Sequence, residues 1–221
     1  MRRRPLLAAP FLLAAGEAVD LLLVLAVDAS GSISPEEFLW QREGYAEALT
    51  SPAVTSVIEG KPHGIGVAML EWGAPGGAEV VVPWHRVTGR ASAQRLADAV
   101  LAAPRSRQSW NALGDALLAA HGLLREAPFT ASTRIVDVSG DGPDLRSRVP
   151  AAEARDRLVE EGITVNALAI AAEGQVTRGG QPLADHYRAE VIGGPGAFVL
   201  SAEDRRDLAR ALRIKLVREI A

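Results

Sequence analysis

"DLLLVLAVDASGSIS", residues 20–34, is the stretch on which the reading of this chain turns. Residues 20–27 form an almost unbroken apolar run, the pattern of a strand covered on both faces. Asp28, Ser30 and Ser32 follow at i, i+2, i+4, where the chain leaves that strand. In a tight loop this spacing aims all three side chains into one small volume. Ser34–Pro35–Glu36–Glu37 then reads as an N-cap, a proline at the first helical position and acids in the first turn. A helix to about Leu49 should follow.

Working outward, strand-like and helix-like segments alternate. Residues 63–72 (HGIGVAMLEW) read as a second strand, and "GAPGG" turns it into residues 78–84 (AEVVVPW) as an antiparallel hairpin. Pro83 suits an edge position. Helices are expected over about 91–103, stopped by Pro104, and 111–125. A strand over 133–139 and a helix over 150–161, ending at Gly162, come next. A strand over 163–170, a short helix around 183–192, the turn "GGPG", a strand at 197–201 and a last helix over 203–219 complete the pattern. Such alternation predicts an α/β, doubly wound, Rossmann-like three-layer sandwich. Its six-stranded sheet is mostly parallel, with one antiparallel edge strand. These sheets bind ligands beyond the carboxyl ends of their strands, where strand order reverses. Two polar clusters fall at such ends: Asp28–Ser30–Ser32, and "SGDG" at 139–142, which contains Asp141.

Composition narrows the chemistry. The chain has 221 residues, 48% apolar and 23% charged, enough for one substantial domain. A net charge of −3 gives no electrostatic footprint for nucleic acid. The arginines of the last helix read as a solvated face. With no cysteine, disulfides, thiolate metal sites and a cysteine nucleophile are excluded. The four histidines are scattered and none form the i, i+4 pair of a zinc helix. "GIGVAM" (64–69) is no dinucleotide fingerprint, because its glycines lie inside a strand. "MRRRPLLAAPFLLAAGEA" joins a basic start to a short apolar stretch and small residues, the pattern of a secretory signal cut after Ala18. Residues 1–18 are therefore expected to be a leader and 19–221 the folded domain, exported to the periplasm or beyond. The apolar run is shorter than the ~20 residues that span a bilayer, so no stable anchor is expected after cleavage.

Asp28, Ser30 and Ser32 alone would serve helix capping and turn formation equally well. Asp141, at the end of another strand and between two flexible glycines, adds a second carboxylate. Together these oxygens form a hard donor set suited to Mg²⁺, Mn²⁺ or Ca²⁺. Asp-x-Ser-x-Ser after a buried first strand, with an Asp-Gly turn after a later one, resembles the von Willebrand factor type A domain. The resemblance covers about residues 19–220, and the tail "YRAEVIGGPGAFVLSAEDRRDLARALRIKLVREIA" is similar to an uncharacterised exported bacterial branch of that family.

The resemblance implies a metal-ion-dependent adhesion site (MIDAS) with Asp28, Ser30, Ser32 and Asp141 as ligands. The family's threonine position falls on Asn111, whose amide oxygen can ligate a hard cation; Ser109 lies two residues earlier. It further implies a non-enzymatic module that captures a carboxylate of a protein partner. Rim candidates are "PRSRQSW" (104–110) with Trp110 as an aromatic anchor, Pro143–Asp144, and Glu71–Trp72–Gly73. Two alternatives stay open: a Mg²⁺-dependent hydrolase or phosphoryl-transfer enzyme built on Asp28 and Asp141, and a structural domain with a decayed site. Against the enzyme, Asp-x-Ser replaces the paired aspartates of such phosphatases.

Overall fold

In the computed structural model, residues 16–171, 176–203 and 205–221 are described, with backbone alone at 205 and 206. Most of the expected leader, residues 1–15, lies outside them. Its last three residues do not: Gly16 leads into β1 (Glu17–Ala18), which pairs in parallel with β5 (Phe129–Thr130).

The apolar run becomes β2 (Leu21–Asp28), buried along its whole length. Alternate side chains of a strand face opposite sides. Leu21, Leu23, Leu25 and Val27 meet one helical layer, and Leu22, Val24 and Ala26 meet the other. Each fully buried leucine contributes about 1.5–3 kcal/mol, so this strand accepts no polar residue before its last position. Flanking it are β3 (Ile65–Trp72) and β6 (Thr133–Gly140), followed outward by β4 (Glu79–Val87) on one side and by β7 (Thr164–Ile170) and β8 (Val199–Ala202) on the other. The order is β4-β3-β2-β6-β7-β8, parallel except for the β3–β4 hairpin. The fold is thus the mixed α/β sandwich expected, with one antiparallel edge strand.

One helical layer comprises α1 (Pro35–Thr50), α2 (Pro52–Glu59), α3 (Arg90–Ala102) and α7 (Arg205–Ile220). The other comprises α4 (Leu113–Arg125), α5 (Ala151–Glu160) and α6 (Leu183–Glu190). The start of α1 is a capping box: Ser34 Oγ accepts from Glu37 N at 3.1 Å, and Glu37 Oε2 accepts from Ser34 N at 2.8 Å. Ser51 ends α1 and caps α2, with Pro52 at the first position of α2. The turn "GGPG" needs left-handed backbone at Gly194 (φ 91°) and Gly196 (φ 70°), which only glycine adopts cheaply. From β2 the chain first builds outward through β3 and β4, and from β6 it builds the opposite way. Strand order therefore reverses between β2 and β6, whose carboxyl ends carry Asp28 and Asp141.

Candidate metal centre

Asp28 closes β2 as a fully buried carboxylate. Oδ1 accepts from Ser30 N at 2.8 Å, and Oδ2 accepts from Asp141 N at 3.2 Å. The two strand-end loops are thus joined through one side chain. Ser30 Oγ and Ser32 Oγ lie 2.9 Å apart. Asn111 precedes α4 in the 103–112 loop and packs on the 141–150 loop: its carbonyl accepts from Leu145 N at 2.6 Å. Its amide nitrogen fills the space where a Cβ at position 142 would sit, so Gly142 permits this approach. Asn111 Oδ1 and Asp141 Oδ1 are both buried without a hydrogen-bond partner. An unpartnered buried oxygen is costly, and two beside each other's loops mark a place built for a donor or a cation. Ser30, Gly31, Ser32, Trp110, Asn111 and Leu145 line an open cavity of about 230 Å³ at this spot.

Burial, and then the neighbouring Asp141 charge, pushes Asp28 up to about 8. Among the described residues no lysine or arginine is paired with either carboxylate. Nor do three or more His, Asp and Glu side chains come together there. The donors are carboxylate, hydroxyl and amide oxygens, a set that hard cations take. Tyr187 reaches in from α6 and donates to Gly142 O at 2.9 Å. Burial, followed by the charges of Asp28, Asp141 and Asp144, holds its phenol well above the ordinary range, so it remains a neutral donor.

Several rim candidates have other work. Glu71 and Trp72 are buried, not exposed. Glu71 forms an ion pair with Arg42 at 2.5 Å and accepts from Ser106 N at 2.6 Å, tying the 103–112 loop to the sheet. Trp72 Nε1 donates to Ala26 O at 3.2 Å, and its ring lies against Gly140. Asp144 accepts from Leu113 N, Gly114 N and Ala151 N, and from the Ser147 hydroxyl, so it caps α4 and α5 together. Trp110 is the exposed aromatic expected, at 52%.

Sequence reading missed Arg105 as a holder of the serine loop. Its guanidinium donates to Ile33 O at 2.7 Å and to Ala29 O and Ser30 O at 3.3 Å, and it stacks on Phe38. The arginine-rich "PRSRQSW" was the available signal, but it was read as facing a partner.

The family described as "Protein of unknown function (DUF1194)" matches residues 18–221. The chain belongs to that family. Its fold is that of a von Willebrand factor type A domain. The pilus adhesin SpaC of Lactobacillus rhamnosus GG shares it with a TM-score of 0.66 at 15% identity, over 93% of this chain and 31% of that one. Proximal thread matrix protein 1 of the mussel byssus, solved with a zinc-occupied MIDAS motif, gives 0.66 at 14% identity over 93% and 47%. A von Willebrand factor type A protein from Catenulispora acidiphila gives 0.62 at 18% identity, again over 93% and 47%. The chain thus spans 31–47% of the length of these structures, and at such identities the likeness is one of fold. No curated protein matches the chain by sequence.

Proposed function

We propose that this type A domain is an exported, non-enzymatic binding module in which a divalent cation helps to hold a carboxylate of a partner protein. One observation carries the reading: Asn111 Oδ1 and Asp141 Oδ1, from two different loops, are buried without partners beside an acidic pair with which no cationic side chain is paired among the described residues. Asp28, Ser30, Ser32, Asn111 and Asp141 would hold Mg²⁺, Mn²⁺ or Ca²⁺. When bound, the ion would supply positive charge and a coordination position for an incoming carboxylate. The chain's own residues do the rest. Two carboxylates would match the ion's double charge, and the neutral serine hydroxyls and the Asn111 amide would add oxygens without excess negative charge to repel an incoming carboxylate. Arg105 fixes the serine loop, and Glu71 and Asp144 fix the loop that carries Asn111.

The type A proteins of similar fold include an adhesin and one with a metal in its MIDAS motif, which supports the same class of role. Export rests on residues 1–18 and suits an adhesive module.

The test is calorimetric titration of the purified protein with Mg²⁺, Mn²⁺ and Zn²⁺, beside Asp28→Asn. One saturable site in the wild type, lost in the variant, is expected. A wild type that takes up none of these ions leaves a structural domain with a decayed site. Turnover of phosphate esters, abolished by Asp28→Asn, would instead establish the hydrolase.

A further inference from the structure

Arg146 is the one non-glycine residue among those described with positive φ, at 71°. Arginine gains nothing locally from this left-handed backbone, so its surroundings must impose it. The constraint is visible on either side. Leu145 N is bonded to Asn111 O, and the Arg146 guanidinium lies 4.6 Å from the centre of the Trp110 ring. Trp110 and Leu145 are also walls of the cavity at the candidate metal centre, and both are exposed, at 52% and 39%. A strained backbone therefore presents a cation at the cavity's edge, on an aromatic platform.

That cation is unspent. Among the described residues no carboxylate pairs with Arg146, and its near neighbour Asp144 is fully engaged in capping α4 and α5. A guanidinium stacked on an indole keeps its edge N–H groups free, in the forked arrangement that matches a carboxylate. The two loops that face the cavity, 103–112 and 141–150, carry Arg105, Arg107, Arg146 and Arg148. Their carboxylates are Asp141, inside the centre, and the capping Asp144.

We infer that Arg146, held on Trp110, is a second carboxylate-binding point, so that the partner's docking segment is acidic at two positions. Resting on the function proposed above, this names the partner class: one acidic side chain enters the cavity beside Ser30, Ser32 and Asn111, and the other meets Arg146. In an extended segment, residues two apart point the same way at about 6.6 Å separation, which sets the spacing to try first.

The test uses two fluorescein-labelled peptides that differ at one residue. One carries Asp-Gly-Asp in a Gly/Ser context, and the other has Asn in place of the second Asp. Fluorescence anisotropy is read with the Mn²⁺-loaded full chain. About tenfold tighter binding of the doubly acidic peptide is expected, as for one added charge-assisted contact. In Arg146→Gly, where glycine accepts the same φ, the two peptides should bind alike; an unchanged unfolding midpoint shows that the variant is folded. Equal affinities in the wild type, or a preference that survives Arg146→Gly, overturn the inference. Binding of the singly acidic peptide that ignores chelator and Asp28→Asn would instead sink the metal-assisted reading while leaving the Arg146 comparison intact. Failure of both peptides to bind the Mn²⁺-loaded protein refutes both.

Discussion

Two pairs of acids, buried except for the half-buried Asp141, lie within one strand's reach of each other, and they are balanced in opposite ways. Asp137, mid-strand in β6, and Glu219, near the end of α7, share an internal cation. Lys215 Nζ lies 2.6 Å from Asp137 Oδ1 and 2.5 Å from Glu219 Oε1, and Asn166 donates to Glu219 at 3.0 Å. Four residues beyond Asp137, Asp141 forms the other pair with Asp28, and there no side-chain cation is paired among the described residues. Burying like charges without compensation is expensive enough to drive one of them to protonate. The fold thus solves the same electrostatic problem once with its own ammonium group, and once by leaving room at an open cavity. The second solution is the one on which the proposed cation site rests.

The harshest way to break the contrast is to delete the internal cation. Lys215→Met leaves Asp137 and Glu219 facing each other in the core and should cost about 3–5 kcal/mol in urea unfolding. A cost near zero would show that Lys215 does not balance these acids. The acidic pair at the open end should behave differently. With Asp28 pushed up to about 8, its carboxyl is mostly neutral at pH 7, so Asp28→Asn costs at most one backbone acceptor and the metal-free protein should stay within about 1 kcal/mol of wild type. A divalent ion at a hundred times its Kd should stabilise the wild type by about 2.7 kcal/mol and leave Asp28→Asn unmoved. Thermal or urea unfolding with and without the ion reads both effects.

Acid–base titration sharpens the comparison further. Burial, then the Asp137 charge, pushes Glu219 up from 4.5 to about 8. The folded chain holds this proton more tightly than the unfolded chain. The associated stability is complete below about pH 4.5 and is lost as pH rises through about 8, with a slope of at most about 1.4 kcal/mol per pH unit. Glu219→Gln should flatten that slope, and urea midpoints across the range would show it. Smallest is the effect at position 111, where the family resemblance has threonine. Asn111→Thr should tighten Mg²⁺ binding about fivefold, on the order of 1 kcal/mol; an unchanged Kd would place Asn111 outside the coordination shell.

Legibility in the sequence followed how local the cause was. The apolar run of β2 and the Ser34 cap act over a few residues, and both were readable. So were the polar strand ends, because each is a short motif beside a long apolar signal. Helix α2 was missed because Ser51–Pro52 looks like a break, although the same pair caps a new helix. The pairing of β1 with β5 is two residues long and has no periodicity to detect. Glu71 looked like a rim residue, because its burial depends on Arg42, 29 positions earlier, and on Ser106, 35 later. Lys215 and Glu219 have the i, i+4 spacing of an ordinary surface pair, on a helix whose arginines read as a solvated face. Only the packing of α7 against the sheet shows that they are interior. The proximity of Asn111 to Asp141 is likewise a product of tertiary structure.

Asp144 carries a practical consequence. Its two oxygens start α4 and α5 at once, so the 103–112 and 141–150 loops are fastened to a common anchor. Transplanting either segment alone into another type A scaffold would leave helix ends uncapped. Anyone seeking to graft this end of the domain has to move both segments together as a cassette.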